Sequence, residues 1–247
     1  MADTPAASSS GDDPGAGEVT PTAVMAAMVG QGGERAVAFD LGGVLLTGGV
    51  LSAGGEPEAF AELERRFGIP PDRAARVWRE LLVPSETGTI PESAVWSALA
   101  ALAGAGGPAE VRAAVLDMAV PVTAGVEVLE RVKALGWRTA LATNHLGSWI
   151  HEWRERFAWF ALFDAVVYSA GIGVRKPDPR FYEKLVAELD RPHAWFVDDR
   201  EENVVAARRA GFRTVWVDAG GGWHLQPGGP DSRAADRTEG APGTGAA

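Results

Sequence analysis

The chain has 247 residues, 46% of them hydrophobic and 23% charged, a formal net charge of −10 with a pI near 4.9, and no cysteine. That length accommodates one sizeable core plus a smaller domain, and the lack of thiols excludes disulfides, a cysteine nucleophile and zinc–thiolate sites, so any metal must be held by carboxylates or histidines. The acidic balance, without a basic cluster, excludes nucleic acid as an expected partner, and no apolar run approaches the roughly 20 residues of a membrane span.

Residues 1–33 are rich in Ala, Ser, Gly, Pro and acids and read as a disordered tail, although "TAVMAAMVG" has the makings of a short helix; residues 220–247 have the same character. No basic segment followed by an apolar one opens the chain, so the expected location is the cytoplasm. Between the tails, strand-like runs at 36–41, 138–143, 164–169, 194–199 and 213–218 alternate with helical patterns. This alternation predicts an α/β fold, a Rossmann-like doubly wound parallel sheet. Thr123 is placed to cap a helix carrying Val128, Leu129, Val132 and Leu135, and Asp178 before Pro179 starts another with Phe181, Leu185, Val186 and Leu189 on one face. A third, "REENVVAARRAG", has acids first and arginines last, as the helix dipole prefers.

Residues 47–122 break the alternation, with no convincing strand and up to four helical stretches; Phe60, Leu63 and Phe67 read as the packed stripe of this helical insert. The expected organisation is therefore an α/β core at 34–46 and 123–219, a helical cap at 47–122, and tails at 1–33 and 220–247.

Ligands of open α/β sheets bind at the carboxyl ends of the strands. The residues that follow the predicted strands form a set there: Asp40, Thr143 with Asn144, Lys176, and the pair Asp198 and Asp199. Taken singly, Asp40 is either a turn aspartate or a nucleophile and metal ligand, and the acidic pair either caps a helix or binds a cation. His145 is either incidental or a substrate contact, and Trp149 and Trp153 share one helix face.

"FDLGGVL", "LATN", "RKPDPRFY" and "VDDREENV" stand in the order and spacing of the four motifs of the haloacid dehalogenase superfamily. Over about residues 35–219 the chain resembles the branch with a helical cap inserted after the first motif, which includes sugar-phosphate phosphatases and the phosphatase domain of epoxide hydrolase. The resemblance implies a hydrolase, most simply a phosphatase working through an aspartyl-phosphate on Asp40, with a small phosphorylated substrate, as a monomer or homodimer. It implies Mg²⁺ held by Asp40, the Gly42 carbonyl and Asp199, with Asp198 beside them, and phosphate contacts from Thr143, the Asn144 backbone and Lys176. The sequence departs from the pattern at Gly42, where most phosphatases of the superfamily carry a second aspartate as general acid and base. Three readings stay open: a phosphatase whose acid is water, His145 or a cap residue; a dehalogenase, in which halide leaves unprotonated; and a non-catalytic binding protein. Substrate selectivity is expected to lie in the cap, with Val83–Ser93 a contributor.

Overall fold

The structure, a computed structural model, describes residues 20–30, 34–48 and 56–226. Its strands are β1 (Ala36–Phe39), β2 (Leu46–Thr47), β3 (Val120–Pro121), β4 (Arg138–Thr143), β5 (Ala165–Tyr168), β6 (Trp195–Asp198), β7 (Arg213–Val217) and β8 (Trp223–Leu225). Six of them form one sheet in the order β5-β4-β1-β6-β7-β8, parallel except for β8 against β7. The chain builds outward from β1 to β4 and β5, then returns across β1 to lay down β6 and β7. That reversal makes the carboxyl ends of β1, β4 and β6 the switch point at which ligands bind.

β1 is covered on both faces, which is why it reads as an unbroken apolar run. Its alternate residues divide between two cores. Val37 and Phe39 join Leu141, Val197 and the helix Thr123–Ala134, while Ala36 and Ala38 join Ala140 and Ala142 to make room for Phe181, Tyr182, Phe196 and Phe212 on the other side.

Between β2 and β3 lie the helices Glu56–Phe67, Glu92–Leu102 and Pro108–Asp117, and a longer one that begins as Pro71–Val77 and continues through a π-helical turn at Trp78–Leu82 into Val83–Ser85. Phe60 and Leu63 are buried in this insert with Phe67 packed against them. β2 and β3 pair antiparallel where the insert leaves and rejoins the core, a correction to the expectation that 47–122 holds no strand; two-residue strands carry no alternation to read. The insert is tied down by Glu92. Its carboxylate accepts from Trp96 Nε1 at 2.8 Å and Arg112 Nε at 2.9 Å within the insert, and from Trp149 Nε1 at 2.9 Å and the Ser148 hydroxyl on the core helix Gly147–Arg156.

Some local expectations need correcting. Thr123 is the first helical residue rather than the cap, because Val122 precedes the helix and donates its N–H to Leu45 O. Leu135, expected on the apolar stripe, lies at the helix end and is 48% exposed. Asp178 does cap its helix, accepting from Arg180 N at 2.9 Å. Both tails contain structure: Pro21–Gly30 is helical, with Val24 and Met28 buried against the helix Thr123–Ala134 and β8, and Trp223 is buried on β8. Spacing of i and i+4 puts Val24 and Met28 on one face, and the edge of β7 offers β8 a ladder that its glycine-rich flanks conceal in the sequence. The rest of the expected tails, 1–19, 31–33 and 227–247, lies outside the described residues.

Shortening the chain at either end should therefore destabilise it. Starting at residue 34 removes two buried side chains at roughly 1.5–3 kcal/mol each, a fall in Tm on the order of 6 °C or more for a protein of this size. Differential scanning calorimetry of the truncated chains 34–247 and 1–222 checks this, and an unchanged Tm in both would show that neither end docks.

Candidate active site

Each parallel strand of the switch point delivers one polar group where its backbone leaves the sheet. Asp40 directly follows β1, its N–H donating to Val197 O on β6 at 2.8 Å. Thr143 is the last residue of β4, Asp198 the last of β6, and Lys176 arrives on the loop after β5. Asn144 fixes that loop: its Oδ1 accepts from Lys176 N at 2.8 Å and its Nδ2 donates to Lys176 O at 3.0 Å. The side chain of Asn144 thus holds the lysine in register.

Lys176 is only 1% exposed, and a buried ammonium demands compensation. Nζ donates to Ala142 O at 2.7 Å and Asp198 Oδ2 at 2.6 Å, and lies 2.9 Å from Asp40 Oδ1. Burial alone would favour the neutral amine, but the charges of Asp198 and Asp40 overcome it and raise the lysine's pKa. Burial likewise pushes the Asp198 carboxyl up to about 6 against the pull of Lys176. Its partners Lys176, Arg200 N and Asn203 Nδ2 all donate to it, so it is a carboxylate at neutral pH. Asp198 is thereby committed to Lys176 and to the turn into the helix Glu201–Arg209.

Asp40, Gly42, Thr143, Asn144, His145, Lys176 and Asp199 line one cavity of about 240 Å³. Asp198 sits behind its wall, fully buried. Carboxylate oxygens of Asp40, Asp198 and Asp199 lie within 4.8 Å of one another. Gly43, at φ 69°, makes this approach possible, since a Cβ there would overlap the Asp199 carboxylate. Asp40 Oδ1 is buried and, although within ion-pair distance of Lys176, receives no hydrogen bond. An all-oxygen set with an excess of negative charge and an orphaned buried oxygen suits a hard divalent cation such as Mg²⁺. Asp40 and Asp199 line the cavity where such an ion would sit, with Gly42 beside them. A larger groove, about 1160 Å³, between the helices Pro179–Leu189 and Glu201–Arg209 contains none of these carboxylates.

His145 faces the cavity but is 8% exposed, with its ring 5.5 Å from Trp149 and 5.3 Å from Trp153. Burial, reinforced by Lys176, Arg200 and Arg175 against the pull of Asp40, lowers its pKa to about 4. It is a neutral imidazole at pH 7. The cavity also holds residues that sequence reasoning did not name singly: Trp78, Arg79, Val83 and Glu86 from the insert, and Arg175, Arg200 and Asn203 from the core. Arg175 and Arg200 adjoin motif residues and were legible by position. Glu86 lies within the 83–93 stretch, but only the docking of the insert brings it into the cavity that Asp40 lines.

Fold and site together define a Rossmann-like α/β protein with a carboxylate held by a buried lysine at the switch point of its sheet. A model of the haloacid dehalogenase-like hydrolases matches residues 34–211, and the chain belongs to that family. It is 38% identical over 87 residues to a sesquiterpene phosphatase from Aspergillus oryzae, covering 34% of this chain and 44% of that one. It is 30% identical over 99 residues to a glyceraldehyde 3-phosphate phosphatase from Pyrococcus abyssi (38% and 41%) and 31% identical over 85 residues to a phosphoglycolate phosphatase from Cereibacter sphaeroides (34% and 39%). The chain thus spans less than half the length of these curated relatives. Among solved structures, a Bacteroides thetaiotaomicron HAD family enzyme in complex with magnesium and inorganic phosphate shares the fold, with TM-score 0.62, 18% identity and coverage of 76% of this chain and 96% of that one. The L-2-haloacid dehalogenase of Xanthobacter autotrophicus does so with TM-score 0.55, 21% identity and coverage of 74% and 77%.

The two neighbouring aspartates should separate in stability. Asp198→Ala strands the Lys176 ammonium without its main partner and should cost roughly 3–5 kcal/mol, whereas Asp199→Ala, at a half-buried cavity wall, should cost less than about 1 kcal/mol. Urea denaturation of both variants is the measurement; equal losses would contradict the division of labour.

Proposed function

We propose that this hydrolase is a Mg²⁺-dependent phosphatase of small phosphorylated metabolites that works through an aspartyl-phosphate on Asp40. The observation that carries the reading is the convergence, in one cavity, of the Asp40 carboxylate, the Lys176 ammonium and Asp199 at the switch point of the sheet. Phosphatase relatives support it, and so does the family neighbour crystallised with magnesium and phosphate.

Asp40, the Gly42 carbonyl and Asp199 would hold the cation, which when bound offsets the repulsion between an anionic nucleophile and an anionic substrate. Lys176 fixes the Asp40 carboxylate and offers a permanent positive charge where the phosphoryl group gathers negative charge. Asp198 keeps that ammonium charged and aimed, and Asn144 holds its backbone. Thr143 and the Asn144 N–H would receive phosphate oxygens. Attack by Asp40 on phosphorus splits hydrolysis into two displacements, the second by water. The helical insert, roughly 47–122, acts as the cap domain, closing the cavity with Trp78, Arg79 and Glu86 and setting which substrates fit.

The test is a screen against phosphate monoesters and haloacids, with Mg²⁺ and with excess chelator. Phosphate release that requires the cation is the expected result; halide release that persists in chelator would replace the phosphatase with a dehalogenase. Asp40→Asn should reduce phosphate release to below about a tenth of wild type while circular dichroism stays unchanged, because the amide keeps the shape but cannot form the acyl-phosphate. Asp199→Ala should move the Mg²⁺ titration of activity to higher concentration, and an unshifted titration would remove Asp199 as a ligand.

A further inference from the structure

The phosphatase reading leaves one chemical requirement unmet. A leaving alkoxide needs a proton, and the position two residues after Asp40 is Gly42. The vacancy does not follow from backbone strain, since the positive φ belongs to Gly43 rather than Gly42. His145, the sequence's own candidate, is ruled out as an acid at neutral pH by its low pKa.

The cavity contains one further acid, contributed by the insert. Glu86 immediately follows the helical segment Val83–Ser85, is 7% exposed, and lines the same space as Asp40 and Thr143. Its Oε2 is buried and lies 2.9 Å from an Arg175 Nη, yet without hydrogen-bond geometry, and the Arg175 Nε is also buried without a partner. We propose that Glu86 is the general acid and base of this phosphatase, supplied by the cap in place of the missing aspartate. As Asp40 attacks, the bond from phosphorus to the leaving oxygen breaks and the Glu86 carboxyl gives that oxygen its proton, releasing an alcohol. The resulting carboxylate then takes a proton from the water that attacks the aspartyl-phosphate, which frees inorganic phosphate and restores both carboxyl groups.

The electrostatic surroundings are consistent with this role. Burial raises the Glu86 pKa most, Arg175 and Arg200 lower it and Asp40 raises it, with a net value of about 7. The other charged or titratable groups around the cavity are Arg79 on the preceding helix, His145, Lys176 and Asp199. A general acid works best with a pKa near the working pH.

The inference rests on the phosphatase reading, and the experiment separates the two. Wild type and Glu86→Gln are compared, with Mg²⁺, on p-nitrophenyl phosphate, whose leaving group departs unaided, and on glycerol phosphate, whose alkoxide does not. The expected result is a kcat loss of about 10²–10⁴-fold on glycerol phosphate and little loss on the aryl ester. In wild type, kcat on glycerol phosphate should fall as pH rises through about 7, because the acid form is being consumed, and this limb should vanish in Glu86→Gln. Equal losses on both esters, or a limb that survives the substitution, would overturn Glu86 as the acid and leave it only an anchor for Arg175. Should Glu86→Gln fail to fold, wild type alone decides: dependence on leaving-group pKa must steepen above neutral pH, and a slope independent of pH overturns the assignment. Failure of wild type to hydrolyse either ester would overturn the phosphatase reading and this inference with it.

Discussion

The ion triad of Lys176 with Asp40 and Asp198 is the constraint on which the site depends. An ammonium removed from water is tolerable only when its hydrogen bonds and charge are answered, and here Ala142 O, Asp198 and Asp40 answer them from three adjacent strands. Each strand must end where it does. The β1–β6 register that directs the Asp40 N–H to Val197 O also brings Asp198 alongside, and Asn144 at the end of β4 fixes the height of the lysine.

This arrangement gives two adjacent aspartates different work. Asp198 is saturated by donors and serves the lysine, whereas Asp199 turns to the cavity beside Asp40, in space that Gly43 leaves open. Oxygens of Asp40, Asp198 and Asp199 gather within 4.8 Å of one another around a single lysine, a local excess of negative charge that suits a cation. Burial, with a smaller push from Asp40, makes the Glu86 carboxyl that the insert brings into the cavity resist ionisation.

The insert is more than a cover. Glu92 joins it to the core through Trp149 and Ser148, and Arg112 extends the link to Glu152 at 2.6 Å. The segment just before Glu92 therefore faces the strand ends, and Glu86 enters the cavity with Trp78 and Arg79. On the proposed reading the nucleophile comes from the core and the acid from the insert, so the seating of the insert on the core completes the site.

Much of this was legible in the sequence, because the parallel sheet writes itself as apolar runs buried on both faces, and because chemistry placed at strand ends falls at fixed offsets from those runs. Asp40, Thr143, Lys176, Asp198 and Asp199 were identifiable for that reason. The division of labour between Asp198 and Asp199 was not, since it depends on which carboxylate the lysine reaches after the strands pair. The docking of Pro21–Gly30 and of β8 was masked by flanking Gly, Ala and Ser, whose composition reports local flexibility and not the tertiary surface waiting to receive an apolar face. The sequence by itself determined the fold, the order of the motifs and the missing carboxyl at Gly42. Only the tertiary structure decided that Glu86 shares a cavity with Asp40 and that His145 stays neutral, because burial and proximity between residues distant in sequence set both, and neither has a local periodicity to betray it.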